Sequence, residues 1–288
     1  MQLVLDARAI LAEGPSWDSG TAKLYWVDIL ANRFCRWDPL TGANEQFQVG
    51  ETVGAVVPAN NEEAMIVTAT GFKRYRLSTG EITPVVDPEA HLAGNRFNDG
   101  KCDALGRFWA GTMDGEEKSI AGALYCLDRD HTCRKLYEGV GISNGMDWSP
   151  DRKTMYYIDS MSQQVMCFTF DLSGGAISDP RVLIDFKDEQ GLPDGMTVDE
   201  EGKLWIAHWD GWQVSRWDPH SGKKIATIAV PAARVTSCAF GGEKYDTLYI
   251  TTATVGLSDE QLLHQPHAGG IFAIKPGVCG MPSVPYRK

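Results

Sequence analysis

Short segments in which apolar and polar residues alternate recur along the whole chain, and each is followed by a turn and a strand rich in aromatic residues. The two most similar copies begin at residues 141 and 191 and run GISNGMDWSPDRKTMYYIDS and GLPDGMTVDEEGKLWIAHWD. Related copies begin near residues 13, 53, 98 and 236, so the period is roughly forty to fifty residues. No long stretch keeps an apolar period of 3.6 residues, and we therefore expect little helix.

A third strand follows in each copy, and several of these strands end in turn sequences such as DPLTG or DPHSG. Each copy therefore predicts a three- to four-stranded antiparallel sheet. Six such sheets arranged radially form an all-β, six-bladed β-propeller around a central channel, with residues 1–288 as one domain. A two-sheet sandwich also has many short strands, but a period kept six times favours the propeller.

Two smaller expectations follow from this topology. A strand at about residues 2–8 should complete the last blade and close the ring. The segment SDEQLLHQ (258–265) should carry a short helix in the longest rim loop. Together with the segments 113–122 and 208–212, that loop is expected to surround the channel mouth, where Trp209 is a candidate for stacking on a sugar ring. His208, by contrast, is predicted to be a structural strand residue.

The first strand of each blade lines the channel of a propeller, so residues at equivalent starting positions converge. These positions are Glu13, Val53, Asn98, Asn144, Asp194 and Thr236, with glycine next in most copies. Two carboxylates brought together without a partner would be costly to desolvate. A divalent cation would balance the charges of Glu13 and Asp194, and Asn144 would add a neutral oxygen. All-oxygen ligation suits calcium, magnesium or manganese, and zinc also accepts it.

Overall composition narrows the class of partner. A formal charge of −11 argues against nucleic acid or an anionic membrane surface as a partner, since both require clustered Lys and Arg.

Seven cysteines without a CxxC spacing predict reduced thiols, and the first residues lack the features of a signal peptide. We therefore expect a cytoplasmic protein, and no obligate protein partner is indicated. The string GISNG (141–145) has the GxSxG spacing, but Ser143 has no obvious His–Asp partner in the repeat register, so a serine hydrolase is not indicated. Motifs of the HExxH, GxGxxG and P-loop types are absent from the sequence.

The quoted motifs resemble those of the regucalcin/gluconolactonase family of six-bladed propellers. The resemblance runs from AEGPSW (12–17) through NRFNDGKCDALGRFWAGTMD (95–114), ISNGMDWSPD (142–151) and LPDGMTVDEEGKLWIAHW (192–209) to QPHAGGIF (265–272). In that family a divalent metal is held by the Glu of EGP, the Asn of SNG and the Asp of PDG. The resemblance implies the same role for Glu13, Asn144 and Asp194.

The resemblance also implies substrate contacts. The Arg and second Asn of NRFND correspond to Arg96 and Asn98. An acidic residue after the GTM strand contacts substrate in relatives, and Glu116 is the best match, with Glu117 adjacent to it.

The activity that the resemblance implies is lactone opening: a small-molecule sugar lactone is hydrolysed, with the metal polarising the carbonyl. Asp194 would orient or deprotonate the attacking water, and Asp99 is a second candidate for the base. Two alternatives remain open at this point: a non-enzymatic calcium-binding propeller, and a related metal-dependent ester or phosphotriester hydrolase.

Overall fold

The computed structural model describes residues 1–287, and these form six four-stranded antiparallel sheets arranged as the predicted β-propeller. Strand β1, Gln2–Leu5, comes first and lies apart from the blade that follows it in sequence. The first three blades occupy the chain from residue 12 to residue 140. They consist of β2 Ala12–Asp18, β3 Lys23–Asp28, β4 Arg33–Trp37 and β5 Asn44–Gln48; β6 Val53–Pro58, β7 Glu63–Thr68, β8 Gly71–Arg76 and β9 Ile82–Val86; and β10 Asn95–Cys102, β11 Phe108–Asp114, β12 Gly122–Leu127 and β13 Cys133–Val140.

The other three blades occupy the chain from residue 143 to residue 274. They consist of β14 Ser143–Trp148, β15 Thr154–Asp159, β16 Gln164–Asp171 and β17 Ala176–Asp185; β18 Leu192–Val198, β19 Leu204–Trp209, β20 Gln213–Asp218 and β21 Lys223–Ala229; and β22 Val235–Gly241, β23 Thr247–Thr252 and β24 Ile271–Ile274. The sixth blade takes its fourth strand from the start of the chain, because β1 pairs antiparallel with β24. The predicted closure is therefore confirmed, with a shorter strand than expected.

The inner strands β2, β6, β10, β14, β18 and β22 contact one another in sequence around the axis, and β22 contacts β2 to complete the circle. Side chains of the second strands fill the spaces between neighbouring blades. One matching position of these strands is buried in every blade, and it is occupied by Tyr25, Ile66, Trp109, Tyr156, Trp205 and Tyr249. One such layer joins Tyr156 and Ile158 of the fourth blade to Met196 and Val198 of the fifth. Burial of this apolar surface stabilises the packing of each blade against its neighbour.

All six inner strands contain a register shift near their start. In the first, fourth and fifth blades it lies between Glu13 and Ser16, Ser143 and Met146, and Pro193 and Met196. The other three blades show it at the equivalent place. A β-bulge inserts an extra residue, bends the strand and redirects a side chain. The ring positions identified in the sequence fall at these bulges.

Glycine follows the ring position where neighbouring inner strands come closest. A Cβ built on Gly145 would lie 2.6 Å from the Met196 backbone nitrogen and 2.8 Å from the Asp194 carbonyl oxygen. A Cβ on Gly195 would lie 2.0 Å from Ser237 Oγ. These glycines are therefore required by the approach of one blade to the next.

Helix is scarce in residues 1–287, as predicted. One 3₁₀ turn spans Ile29–Ala31, and helix α1 spans Asp259–His264 in the predicted segment. Ser258 caps α1 by accepting a hydrogen bond from the Gln261 backbone N–H, and the Gln261 side chain accepts one from Ser258 N–H. This reciprocal pair is a capping box.

The C-terminal segment crosses the end of the channel opposite the ring positions. It pairs with the fifth blade through the bridge between Asp199 and Gly280. Tyr286 then donates its backbone N–H to Pro58 O of the second blade and its hydroxyl to Asp128 O of the third. This strap joins distant blades and was not predicted.

Candidate metal and substrate site

One cavity of about 140 Å³ opens at the end of the channel where the inner strands begin. It is lined by four of the six ring residues, Glu13, Asn98, Asn144 and Asp194. The other two ring positions do not line it. Val53 packs in the apolar layer between the first two blades, and Thr236 Oγ1 donates to Ala12 O at 2.6 Å.

The carboxyl groups of Glu13 and Asp194 are buried side by side. Glu13 Oε2 accepts a hydrogen bond from Gly14 N–H at 2.7 Å, and the two carboxyls hydrogen-bond one another. Burial, with the charge of Asp99, raises the pKa of Glu13 to about 8. Burial and the Glu13 charge raise the pKa of Asp194 well above its usual range. Without a cation, the pair therefore retains a proton at neutral pH.

Asn144 contributes a polar atom that has no partner. Its Nδ2 donates to Ser160 Oγ at 3.0 Å, and Ser160 Oγ donates to Pro193 O at 2.5 Å. These bonds direct the amide, while its Oδ1 is buried without a hydrogen bond from any described residue. A buried, unsatisfied carbonyl oxygen is costly unless another group meets it.

The donor chemistry of this cavity fits a hard divalent cation. Two carboxylates would neutralise its charge, and the unpartnered amide oxygen would supply a third ligand atom. In the described part of the chain, no three His, Cys, Asp or Glu side chains group as a metal site, because the third oxygen here comes from an asparagine. The structure thus brings together the three side chains predicted to hold metal: Glu13, Asn144 and Asp194.

Arg96 and Asn98 lie beside this trio. Arg96 Nη1 donates to Asn98 Oδ1 at 2.7 Å, and Asn98 Nδ2 donates to Ser143 O at 2.7 Å. Burial lowers the pKa of Arg96, while the negative charges of Glu117 and Glu13 oppose that shift. The guanidinium is thereby held next to the carboxylates, where its remaining N–H groups can donate to a ligand.

The structure distinguishes the two adjacent glutamates that the sequence offered as substrate contacts. Glu116 is exposed and pairs with Lys118 at 2.7 Å, outside the cavity, whereas Glu117 lines the cavity. The turn after β11 explains the difference, because Asp114 accepts hydrogen bonds from Glu116 N–H and Lys118 N–H. Glu117 then adopts a φ of 57°. The loop of this chain therefore presents the second glutamate of the pair.

Asp99, the alternative candidate for the base, faces the other way along the channel. It lines a second cavity of about 110 Å³ that the C-terminal strap covers, together with Lys101 and Asp147. Its Oδ1 accepts a hydrogen bond from Gly100 N–H at 2.7 Å. Burial raises the pKa of Asp99 to about 6. It contributes charge to the Glu13–Asp194 pair without lining the same cavity.

Several wall residues were not predicted from the sequence. The side chains two positions before the ring residues form the next level of the cavity; of these, Arg96 was predicted, whereas Leu11, Ile142 and Leu192 were not. The period-2 alternation of a strand is the signal that could have identified them. Ile29, just after β3, and Met113, in β11, were also not predicted; they lie in the wall with Trp209, which the sequence had placed at the channel mouth.

Two residues noted in the sequence have clear structural settings. His208 is buried, with Nε2 2.6 Å from Ser215 Oγ and Nδ1 2.8 Å from Gln190 O. Its place in the strand is structural, as predicted. Trp209 lies in the cavity wall, and the Arg234 guanidinium stacks on its ring at 4.8 Å from the centroid.

Comparison with known proteins gives consistent matches over nearly the whole chain. The family model described as SMP-30/Gluconolactonase/LRE-like region matches residues 11–254. "Putative sugar lactone lactonase YvrE" of Bacillus subtilis (strain 168) is 40% identical over 286 residues, covering 99% of this chain and 97% of its own. Regucalcin of Gallus gallus is 41% identical, covering 96% of this chain and 94% of its own.

A solved structure shows the same architecture. The calcium-binding protein regucalcin from Agrobacterium tumefaciens superimposes with a TM-score of 0.95 and 28% sequence identity, covering 99% of this chain and 97% of its own. Within residues 1–287, no helix is long and apolar enough to cross a membrane.

Proposed function

The chain belongs to the SMP-30/gluconolactonase/LRE-like family, and on that premise we propose that it is a metal-dependent lactonase that hydrolyses a sugar acid lactone. The observation that carries the proposal is the buried trio of Glu13, Asn144 and Asp194 on the channel axis, which we call the hub. Glu13 and Asp194 share a site with the unpartnered Oδ1 of Asn144, beside the Arg96 guanidinium. The relative named as a sugar lactone lactonase supports the substrate class.

Lactone opening is acyl transfer to water, and it requires a polarised carbonyl, an activated water and stabilisation of the developing oxyanion. A divalent cation (calcium, zinc, manganese or magnesium) held by Glu13, Asn144 and Asp194 would supply the electrophile and lower the pKa of water. The residues of the chain provide the rest. Asp194 orients the attacking water and accepts its proton through the carboxylate oxygen that faces the cavity.

The neighbouring side chains bind and orient the ring. Arg96 offers a planar set of donors, and Asn98 is fixed by hydrogen bonds on both sides. Glu117 supplies an acceptor for a substrate hydroxyl from the same side of the cavity. Fixing the ring against these groups places the ester carbonyl towards the hub, which lowers the entropic part of the barrier.

A calcium-binding protein without enzymatic activity is the second candidate, supported by the relative described as calcium-binding. A calcium switch needs an element with two alternative arrangements. Here the hub lies in a closed ring of six packed blades, and Arg96 and Glu117 stand above it in a cavity open to a small molecule. An ion-binding role alone requires neither residue.

The test is acid release from aldonolactones at constant pH by metal-stripped protein, with calcium, magnesium, manganese or zinc added back. Spontaneous opening is subtracted. We expect metal-dependent hydrolysis that falls at least a thousandfold in Asp194→Ala, since both a ligand and the proton acceptor are lost. Hydrolysis no faster than the blank with every metal would contradict the lactonase and favour the calcium-binding protein. Hydrolysis of a phosphotriester in the same assay, without hydrolysis of the lactones, would favour the related metal-dependent ester or phosphotriester hydrolase.

A further inference from the structure

The charged side chains of the cavity wall lie on one side only, and the hydroxyl of Ser160, which also lines the cavity, is already bonded to Asn144 and Pro193 O. The third blade contributes Arg96, Asn98 and Glu117 together with Met113, while the wall residues of the first blade above Glu13 are Leu11 and Ile29. Those of the fifth blade above Asp194 are Leu192 and Trp209. The first and fifth blades flank the sixth, which lies across the axis from the third. The cavity therefore has one hydrogen-bonding wall and an apolar wall opposite it.

The register of the inner strands produces this asymmetry. The ring residues form the floor, and the side chains two positions earlier rise above them on the same face of each strand. Arg96 is the one charged residue of that level in the cavity, and the equivalent positions hold Leu11, Ile142 and Leu192. The remaining polar members of the level are engaged elsewhere: Glu51 pairs with Lys73, and Arg234 stacks on Trp209.

We propose that this site selects lactones whose ring carries hydroxyls on C2 and C3 and a methyl group or hydrogen, in place of hydroxymethyl, on C5. This inference rests on the proposed lactonase function. In a δ-lactone the carbonyl carbon is bonded to C2 on one side and, through the ring oxygen, to C5 on the other. With the carbonyl at the floor and the C2 and C3 hydroxyls on the third blade, C5 faces the apolar wall.

The expected selectivity follows from the chemistry of that wall. A hydroxymethyl group against Leu11, Ile29 and Leu192 would be buried without a hydrogen-bond partner, whereas a methyl group would gain apolar contact. An apolar pocket discriminates against an added hydroxyl by up to about a hundredfold. We therefore expect kcat/KM to be about 10–100-fold higher for the methyl-bearing substrate than for the hydroxymethyl-bearing one, with the pentonolactone also above the latter.

The first experiment compares D-glucono-1,5-lactone, its 6-deoxy counterpart and D-xylono-1,5-lactone, which share the configuration at C2 to C4. The galacto series is measured in the same way, with the blank rate subtracted. Higher kcat/KM for the 6-deoxy compound in the series that is hydrolysed supports the inference. Equal or higher kcat/KM for the hydroxymethyl compound overturns it and leaves the lactonase assignment intact.

The second experiment measures binding without turnover. We use 1,5-anhydroglucitol and its 6-deoxy analogue, which have the ring but no ester, and determine Kd by calorimetry. The 6-deoxy analogue should bind at least about fivefold more tightly, since an apolar contact replaces an unpaired buried hydroxyl. Absence of any lactone hydrolysis would contradict the proposed function, and this binding ratio would still decide the inference. A ratio of one or below overturns it.

A matched pair of variants locates the selectivity. Leu192→Asn places a hydrogen-bonding side chain in the apolar wall and should reduce the methyl-to-hydroxymethyl ratio towards one, in both kcat/KM and Kd. Ile225→Asn lies on β21 at the exposed edge of the same blade and should leave the ratio unchanged. An unchanged ratio in a folded Leu192→Asn protein contradicts the assignment of that wall.

Discussion

Asn144 and Ser160 are joined by a hydrogen bond of 3.0 Å from the amide nitrogen to the hydroxyl oxygen, and this bond fixes which face of the amide meets the hub. The two residues lie on neighbouring segments of one blade, at the start of β14 and just after β15. Ser160 is itself held by Pro193 O of the next blade, beside Asp194. The contact therefore couples the orientation of one candidate ligand to the position of another.

Removing that support should weaken metal binding without removing a ligand. Ser160→Ala frees the Asn144 amide to rotate, and loss of such a supporting hydrogen bond typically costs 10–100-fold in metal affinity. We expect a Kd for manganese about tenfold higher, measured by calorimetry on the metal-stripped protein. Ser162→Ala is the control, because Ser162 bonds only to Asp159 O and is exposed. An unchanged manganese affinity in Ser160→Ala would show that Ser160 does not position Asn144 for metal binding.

The two adjacent glutamates of the rim should behave differently. Glu117→Gln removes the carboxylate that faces Arg96 and should raise KM for a hydrolysed lactone about tenfold, with a smaller change in kcat, since a charge-assisted contact to bound substrate is lost. Glu116→Gln removes an exposed ion pair with Lys118 and should change neither parameter. Steady-state kinetics measure both variants. A raised KM in Glu116→Gln, with none in Glu117→Gln, would show that Glu116 is the substrate contact.

The metal-free protein should lose stability as pH rises. The pKa of Glu13 is raised to about 8 in the folded state from 4.5, so its favourable contribution is complete below 4.5 and is lost as pH approaches 8. We expect the free energy of unfolding to fall by about 2–4 kcal/mol between pH 5 and pH 8, measured by denaturant titration.

Two controls separate the hub from other titrating groups. Asp194→Asn removes one of the paired charges and should flatten the pH dependence, making the metal-free variant more stable than the native chain at pH 8. Saturating metal should also abolish the loss, because the cation replaces the shared proton and metal affinity rises with pH. A metal-free native protein as stable at pH 8 as at pH 5 would contradict the buried carboxyl pair.

Close packing at the hub gives a stability prediction. Gly145→Ala would place a methyl group 2.6 Å from the Met196 backbone nitrogen and should lower the free energy of unfolding by about 3 kcal/mol, because backbone atoms must move apart. Gly94→Ala is the matched control, since nothing lies within 4 Å of its Cβ position and its φ is not in the left-handed region. Thermal unfolding with metal removed measures both, and equal stabilities would show that the blades can separate at no cost.

Much of this architecture could be predicted from the sequence because repetition specifies it. The matching positions of Glu13, Asn144 and Asp194 in three copies place them at one end of the axis once six sheets close into a ring. Their convergence in one cavity follows from topology and needs no knowledge of loop conformation. The closing strand also follows from topology. Helix α1 was expected in the segment 258–265, where Ser258 and Gln261 form the capping box.

The features that were not predicted depend on local geometry that the repeat does not encode. The choice of Glu117 over Glu116 is made by a turn in which Asp114 accepts two backbone hydrogen bonds. Asp99 points to the strap side because a bulge lies between Phe97 and Asp99, so simple alternation does not give its direction. The strap itself depends on contacts such as Tyr286 with Pro58, far apart in sequence and outside the repeat.

Anomalous diffraction from crystals of the protein grown with manganese at pH 7.5 tests the central claim most directly. We predict one strong peak in the cavity of about 140 Å³ where the inner strands begin. It should lie within about 2.0–2.6 Å of a carboxylate oxygen of Glu13, a carboxylate oxygen of Asp194 and Oδ1 of Asn144. A hub without a peak, with the Glu13 and Asp194 carboxyls still hydrogen-bonded to one another and manganese bound only elsewhere, would contradict it.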